Sequence, residues 1–419
     1  MVVALIAAGA LVVIASQWGE SLLDGGLRMK MYTPPFTGTT DWRPGRTMLP
    51  ATIVAALTIA WLPRAATRIR WRWLLVLTAL LAVVWAVALA VVDGRDALTD
   101  PLLPNQYIRT VPRIHDLGFF LRTFSDRLPS YNIHTQGHPP GLVVLLWLMD
   151  RAGFGGINPN AVLVFAGGGA GIVAVLAGVR EVAGEEIARR TAPFLALTPA
   201  AIWWSSGDAF FSGVSAIAVA LVILATGRTG RRSDALAALG GLAFAATAYL
   251  SYGLVLLVIL PVVIAAHRHR WRPVLVASGA GAVAVLAVSI GTGFIWWEGL
   301  AATRVQYFVG VARNRPYEYF VVANIAALML AVGPATIVAL TRLRGRPLAW
   351  LVGSAAAAVA LADVSGMSKA EVERIWLPFV PWLVIATAML AVGRRIPRSW
   401  LAAQAGVALL ISVAVRSPW

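Results

Sequence analysis

The chain has 419 residues, of which 59% are hydrophobic and only 13% are charged. Soluble domains have about 45–50% apolar and about 25% charged residues, so this composition excludes an ordinary soluble protein. The net charge of +16 does not indicate a nucleic-acid partner, because most arginines lie in short turns between apolar runs, where the positive-inside rule places them. The absence of cysteine excludes disulfides, thiolate metal sites and a cysteine nucleophile.

The apolar residues form runs that approach the ~20 residues needed to cross a bilayer. These runs are rich in Ala, Leu and Val and lack period-two alternation, which predicts helices rather than a β-barrel. The first run, 2–16, resembles the core of a signal peptide. It lacks a preceding basic region and a small-residue cleavage site, so we expect an uncleaved first span.

Basic turns set the predicted orientation of the spans, because they mark cytoplasmic ends. Five such turns occur, at residues 64–72, 228–232, 267–272, 342–346 and 394–398. The span 73–92 leaves the first turn, so the loop from residue 93 to residue 138 is expected outside the cell.

The parity of the crossings identifies one short helix that does not span. Four apolar runs separate the first external loop from the turn at 228–232, and they are 140–149, 161–179, 191–207 and 208–227. Four crossings that start outside the cell would end outside it, whereas the basic turn at 228–232 is expected in the cytoplasm. The run 142–149 has about half the length of a span, so we expect it to lie in the interface.

The predicted fold class is therefore an all-α polytopic transmembrane protein of the cell membrane. About thirteen spans are expected, at 2–17, 47–63, 73–92, 161–179, 191–207, 208–227, 235–250, 252–266, 273–293, 321–341, 347–363, 375–393 and 399–415. The N-terminus is predicted inside and the C-terminus outside. Residues 1–72 are interpreted as two extra spans before a core of residues 73–419, which includes the external loop 93–141.

Three acids, Asp93, Asp96 and Asp100, follow the third span directly. A carboxylate at this position suits a general base that deprotonates an acceptor hydroxyl. Asp93 precedes glycine, and Asp-Gly commonly ends a helix, so helix termination stays open as its role. Amphipathic spacing at Leu117, Phe120, Leu121 and Phe124 then predicts short helices along the membrane.

The loop closes with His134-Thr-Gln-Gly-His138-Pro-Pro-Gly. Two histidines four residues apart are possible metal ligands on a helix. Gly137 and Pro139 break a helix there, however, and no third ligand is spaced to match. We therefore favour a rigid His-Pro-Pro turn that offers an imidazole to an anion, and we expect no metal.

Asp208 lies at the predicted outer junction of two spans. Burying a charged carboxylate at this depth of the membrane costs free energy unless the carboxylate is paired, which makes Asp208 a site candidate. Its other interpretation is an N-cap of the following helix, and the two roles are compatible.

A second dense region runs from residue 363 to residue 378. Lys369 and Glu373 are four residues apart and can pair on a helix. Arg374 lies at the mouth of a predicted span, where a guanidinium can bind phosphate by paired hydrogen bonds. A snorkelling arginine is the alternative.

Aromatic residues accompany Arg304, Arg313 and Arg315 in the stretch 294–320. The aromatic residues are typical of interfacial anchoring, and the external arginines indicate an anionic lipid headgroup. Tyr252, together with Arg313 and Arg315, completes the set of candidate site residues.

In order and spacing, residues 73–393 resemble the GT-C superfamily of membrane glycosyltransferases, nearest to the protein O-mannosyltransferase and aminoarabinose-transferase branches. The resemblance rests on an acidic first loop, amphipathic juxtamembrane helices, the turn His138-Pro139-Pro140, the acid Asp208 and the basic late loop 369–374. One departure is the stretch Asn105-Gln106-Tyr107, where the family often has adjacent Asp-Glu.

The resemblance implies transfer of a sugar, with inversion and without a metal or other cofactor. The donor would be a polyprenyl-phosphate sugar, and the acceptor a glycan, lipid or protein at the extracytoplasmic face. Asp93, with Asp96 and Asp100 as rivals, would be the base. Arg374, Lys369 and His138 would hold the carrier phosphate. A transporter or flippase and a non-catalytic assembly partner remain the alternatives; membrane lipids are expected partners in every case.

Overall fold

The computed structural model of the chain describes residues 1–103, 107–393 and 395–419. Asn105, Gln106 and Arg394, to which the sequence analysis referred, lie outside these residues. In chain order the helices are α1 (Val2–Asp24), α2 (Leu49–Arg68), α3 (Trp71–Ala90), α4 (Leu117–Arg122), α5 (Ile133–Gln136), α6 (Gly141–Arg151), α7 (Ile157–Ala183), α8 (Glu185–Ala196), α9 (Gly207–Thr226), α10 (Gly230–Leu250), α11 (Ile259–His267), α12 (Arg272–Thr292), α13 (Trp296–Val309), α14 (Tyr317–Leu340), α15 (Leu348–Val364), α16 (Val372–Ile375), α17 (Val380–Val384) and α18 (Arg398–Ala414).

The predicted all-α polytopic class is confirmed. Within the described ranges, eight helices are long and apolar enough to cross a membrane, namely α1, α2, α3, α7, α9, α10, α12 and α14. Shorter apolar helical segments cover Tyr252–His267, Leu348–Val364, Val380–Leu390 and Arg398–Ala414. Two short strands, β1 (Thr39–Thr40) and β2 (Val415–Arg416), pair antiparallel, a contact between distant segments that the sequence did not predict.

The basic turns gather at one end of the helices, here called the arginine-rich end. Arg180 stacks on Trp71 at 4.9 Å, and the neighbouring Glu181 binds Arg228. These contacts place the turns before α3, after α7 and after α9 side by side. The opposite end, where α3 ends and α9 begins, is here called the rim.

The segment between α7 and α9 returns from the arginine-rich end to the rim. The two helices run parallel, since Gly171 lies against Gly213 and Glu181 pairs with Arg228, so residues 184–206 must run back. They do so as α8 and a 3₁₀ turn, Pro199–Trp203. The crossing predicted at 191–207 is thus a broken helix rather than a regular one, because Pro199 ends the α-helical pattern.

The break in this segment is stabilised by a side chain from α3. The indole Nε1 of Trp85 donates to the carbonyl of Thr198 at 3.1 Å. A buried carbonyl freed at a helix end needs such a donor.

The short run predicted to lie at the interface forms α6. Its 11 residues reach about 16 Å, half of the bilayer core. Trp147 of α6 donates to the carbonyl of Ile114 at 3.2 Å, and Gly141 lies against the carbonyl of Tyr249 at the rim end of α10. The helix therefore belongs to the rim. The amphipathic stretch forms α4, which buries Phe120 and Leu121.

The two N-terminal spans pack on the other helices rather than standing apart. The Tyr319 hydroxyl of α14 donates to the carbonyl of Ala15 in α1 at 3.2 Å. The loop 25–45 between α1 and α2 lies over the rim, where Arg43 pairs with Asp93 at 2.8 Å. The division into an extra module of residues 1–72 and a core of residues 73–419 stays a prediction.

Candidate functional site

A buried ion pair forms the centre of the rim. Arg374, in α16, donates to Asp208, in the first turn of α9, at 2.7 Å, and each side chain is 5% exposed. Helix N-termini favour negative charge, which adds to the stabilisation of Asp208. Ser206, not Asp208, occupies the N-cap position. Asp208 is therefore paired, and its interpretation as the cap is wrong; its role as a site residue stays a prediction.

Glu371 joins this pair to a second buried arginine. Its carboxylate lies 2.5 Å from Arg374 and 3.1 Å from Arg315. Burial opposes its ionisation, but attraction to Arg374 and Arg315 outweighs that effect and lowers the pKa of Glu371 to about 2. Asp208, Arg374, Glu371 and Arg315 thus form one connected set of ion pairs, here called the rim network.

The backbone that carries Glu371 is strained. Ala370 and Glu371 have φ values of 66° and 62°, a left-handed conformation that costs non-glycine residues about 1–2 kcal/mol each. Asn324 donates to the Ser368 carbonyl at 2.6 Å and to Asp363 at 2.8 Å, which holds the preceding residues. Strain of this kind concentrates at functional sites.

The two histidines of the first loop, His134 and His138, lie in one turn beside the rim network. Nδ1 of His138 lies 3.0 Å from the carbonyl of His134, and because a carbonyl only accepts, Nδ1 carries the hydrogen. The ring packs against Tyr107 and Phe211. Burial lowers the pKa of both histidines, which favours neutral imidazoles. The hydrogen bond and ring contacts agree with the predicted rigid turn, and its role towards an anion stays a prediction.

Metal binding was a weaker interpretation of the same histidines. Over the described part of the chain, no group of three or more His, Cys, Asp or Glu residues could hold a metal ion.

Two clefts meet at the rim network. The first, about 320 Å³, is here called the apolar cleft after one aliphatic wall, and charged or polar side chains line the rest of it. The wall includes Val255, Leu256, Leu300, Ala362 and Ile375. The polar cleft, about 470 Å³, is lined by residues that include Lys30, Tyr32, Thr37, Arg416 and Trp419. His134, Arg315 and Glu371 line both, so the rim network lies where the two clefts meet.

Trp419 covers the outer side of the network. The guanidinium of Arg374 lies 4.4 Å from the centre of its ring, and its indole Nε1 is 3.4 Å from Glu373. Glu373 also accepts from the Thr37 amide at 3.2 Å. Its other oxygen has no hydrogen-bond partner among the described residues, and burial raises its pKa.

The predicted pair of Lys369 with Glu373 is not formed. Lys369 Nζ donates instead to the Arg315 carbonyl at 3.0 Å and lies over the ring of Phe308 at 5.4 Å. The left-handed backbone between the two residues interrupts helical spacing, so an i,i+4 contact is lost. Lys369 lines the apolar cleft.

The three acids of the first loop lie apart from the rim network. Asp93 is bound to Arg43 at 2.8 Å and ends its helix before Gly94, whose φ is 103°. Asp96 and Asp100 are exposed. None of the three lines either cleft.

Of the two remaining candidates, one lines a cleft and the other does not. Tyr252 lines the apolar cleft beside His138 and Arg374, whereas Arg313 is exposed. Sequence reasoning did not select four further residues that line the clefts or contact the network, namely Lys30, Tyr107, Glu371 and Trp419. Glu371 was detectable, because it precedes Arg374 by three residues. The others come from segments whose proximity no local pattern indicates.

Comparisons with known proteins identify the fold. No family model and no curated protein matches the sequence. The crystal structure of the Archaeoglobus fulgidus oligosaccharyltransferase in complex with Zn and sulfate is similar over 83% of this chain, with 17% identity and a TM-score of 0.53. This chain covers 54% of that protein, or about half of its length. The likeness confirms the predicted fold class, a polytopic helical fold like that of this oligosaccharyltransferase; membership of the GT-C superfamily and the branch named above stay predictions.

Proposed function

We propose that the protein is a membrane glycosyltransferase that moves a sugar from a polyprenyl-phosphate donor to an acceptor at the extracytoplasmic face. The observation that carries the proposal is a cleft at the rim network that has an aliphatic wall and is also lined by Lys369, Arg374 and His138. A lipid-linked sugar has matching parts, since its hydrocarbon chain fits an aliphatic wall and its phosphate fits the cations beside that wall, while the adjoining second cleft leaves room for a sugar. The GT-C-like fold supports the assignment by analogy.

The donor would bind with its first isoprene units in the apolar cleft and its phosphate beside Lys369 and Arg374. Lys369 has no carboxylate partner among the described residues, and its ammonium donates a hydrogen bond to the carbonyl of Arg315. Two of its three hydrogens remain for phosphate oxygens. His138 holds its hydrogen on Nδ1, which binds the His134 carbonyl, so its Nε2 would donate to the phosphate only when the negative charge of the bound phosphate offsets the lowered pKa of His138.

In the proposed reaction the acceptor oxygen bonds to the anomeric carbon while the bond from that carbon to the phosphate oxygen breaks. Polyprenyl phosphate leaves, stabilised by the cations beside it, and the acceptor proton passes to a base. Glu371 is a weak base, since its pKa is about 2. Asp93, with Asp96 and Asp100 as rivals, remains the proposed base, and Arg43 must release Asp93 for that role.

A turnover assay tests the proposal. The full chain in lipid nanodiscs would be incubated with a panel of radiolabelled polyprenyl-phosphate pentoses and hexoses, with release of polyprenyl phosphate as the readout. Lys369→Met is expected to lower turnover at least tenfold, as expected for the loss of a charged phosphate contact. Arg113→Gln, an exposed rim arginine outside both clefts, is the matched control. Full activity in Lys369→Met contradicts the phosphate assignment.

The base is tested by three single variants, Asp93→Asn, Asp96→Asn and Asp100→Asn. Loss of at least a hundredfold in one of them identifies the base, since general-base catalysis contributes 10²–10⁴-fold. If all three keep full activity, a first-loop base is excluded.

Two further measurements separate the alternatives. Movement of the lipid-linked sugar across proteoliposomes without a covalent product would favour a transporter. The chain has no cysteine, so single cysteines report orientation directly. We expect an impermeant maleimide to label Arg113→Cys in intact cells and to leave Arg231→Cys unlabelled.

A further inference from the structure

A separate cleft lies at the arginine-rich end, between α11 and α15. It has a volume of about 650 Å³, and its lining includes Ile259, Val263, His267, Arg346, Trp350, Gly353 and Ala357. None of these residues lines the clefts at the rim. The proposed glycosyltransferase reaction therefore gives this cleft no role.

The cleft has the depth of one membrane leaflet. Along α15 it extends from Pro347 to Ala357, ten residues or about 15 Å of helix. Half of the ~30 Å hydrocarbon core is also about 15 Å. Its deep walls are aliphatic, and Gly353 and Ala357 are exposed on the surface of α15, so a hydrocarbon chain can lie along them.

The mouth of the cleft is cationic and aromatic. Arg346 is exposed and has no carboxylate partner in the described parts of the chain, in contrast to Arg228 and Arg268, which share Glu181. The rings of His267 and Trp350 lie 4.9 Å apart at the same end. A free guanidinium beside an interfacial tryptophan is suited to a phosphate at headgroup level.

We propose that this cleft binds an anionic phospholipid of the cytoplasmic leaflet. The phosphate contacts Arg346 and the His267 ring, and one acyl chain lies against Gly353 and Ala357. A soluble anion explains the mouth but leaves the apolar walls uncovered, whereas a phospholipid covers both. The surplus of arginine at this end attracts anionic lipids to the same position.

Two variants test the two halves of the site. Arg346→Gln removes the cation, and Arg231→Gln, an exposed arginine of another basic turn, is its charge-matched control. Gly353→Leu fills the apolar part; a carbon added at Gly353 meets no atom within 4 Å, so the fold can accept it. Gly406→Leu in α18, equally unobstructed, is the control for added bulk.

Native mass spectrometry of the full chain in neutral detergent would measure binding of phosphatidylglycerol and phosphatidylcholine. We expect phosphatidylglycerol to bind more tightly, Arg346→Gln to weaken it about fivefold, the loss of one juxtamembrane cation, and Gly353→Leu to remove the tight site. Both controls should bind as the unaltered protein does.

Any one of three lipid-binding results overturns the proposal. They are equal binding of the two lipids, equal weakening by Arg231→Gln and Arg346→Gln, and unaltered binding in Gly353→Leu. Inorganic phosphate that raises the unfolding temperature as much as phosphatidylglycerol also overturns it, because the site would then recognise the anion alone.

Discussion

Each end of the helix bundle contains a glutamate shared by two arginines, but the two groups differ in what surrounds them. At the arginine-rich end Arg228 and Arg268 bind Glu181 at 2.5 and 3.2 Å. Both arginines are partly exposed, and both also donate to helix carbonyls. They cap the ends of helices and reach water.

At the rim, Arg374 and Arg315 share Glu371, and both arginines are nearly inaccessible, at 5% and 2% exposure. Arg374 also binds a second buried carboxylate, that of Asp208. A buried charge without its partner is far more expensive than an exposed one. The comparison therefore predicts that charge removal at the rim damages the protein most, although both groups have similar bond lengths.

The largest effect is expected from Arg374→Met. It leaves Asp208 buried without its cation and Glu371 with Arg315 alone, so the free energy of unfolding should fall by about 3–5 kcal/mol. Denaturant titration in mixed micelles measures this. The double variant Arg374→Met with Asp208→Asn should recover part of the loss, because the uncompensated charge is gone. A single variant as stable as the unaltered protein contradicts the burial argument.

Glu371, in the loop before α16, and Glu373, in α16 itself, should respond to pH in opposite directions. The pKa of Glu371 falls from 4.5 to about 2, so its stabilisation is present above pH 4.5 and is lost as the pH falls towards 2. Unfolding measured over this window should show the loss, and Glu371→Gln should lack it.

Burial instead raises the pKa of Glu373, so the protonated form is the stable one in the fold. Its contribution is present below the ordinary value of 4.5 and is lost as the pH rises through the raised pKa. Glu373→Gln should therefore be more stable than the unaltered protein at neutral pH. An equal pH response in both variants is inconsistent with the two environments.

The charges at the arginine-rich end were predictable, because spans and basic turns are local patterns in the chain. The parity argument also located the short helix α6 correctly. The rim was predictable in part. Asp208 and Arg374 were selected because charges beside spans need partners, but that they are each other's partner depends on residues 166 positions apart.

The partners of Asp93 and Lys369 could not be predicted from local patterns in the sequence. Asp93 has its partner, Arg43, in a loop assigned to a separate module. The pairing expected between Lys369 and Glu373 assumed a helix, and two left-handed residues interrupt it. Left-handed conformations in residues such as Ala370 and Glu371 depend on tertiary contacts, such as those of Asn324, because neither residue type favours that conformation on its own.

A moderate effect is expected from Glu181→Gln. The change removes two ion pairs at once, but Arg228 and Arg268 keep the carbonyls of Leu224 and Glu181 as acceptors. The loss should be about 1–2 kcal/mol, the sum of two partly exposed pairs. Sugar transfer should be unaltered. A loss as large as that of Arg374→Met would show that burial of the arginine does not distinguish the two ends.

The smallest effect is expected from Arg272→Gln, although the geometry of its ion pair is as good as any at the rim. Arg272 donates to both oxygens of Asp234 at 2.9 and 2.8 Å, yet its side chain is 75% exposed. Water and salt compete with such a pair, so the unfolding temperature should not change measurably in 0.15 M salt. Because these distances nearly equal the 2.7 Å between Arg374 and Asp208, a large shift here would mean that bond length, and not burial, governs both ends.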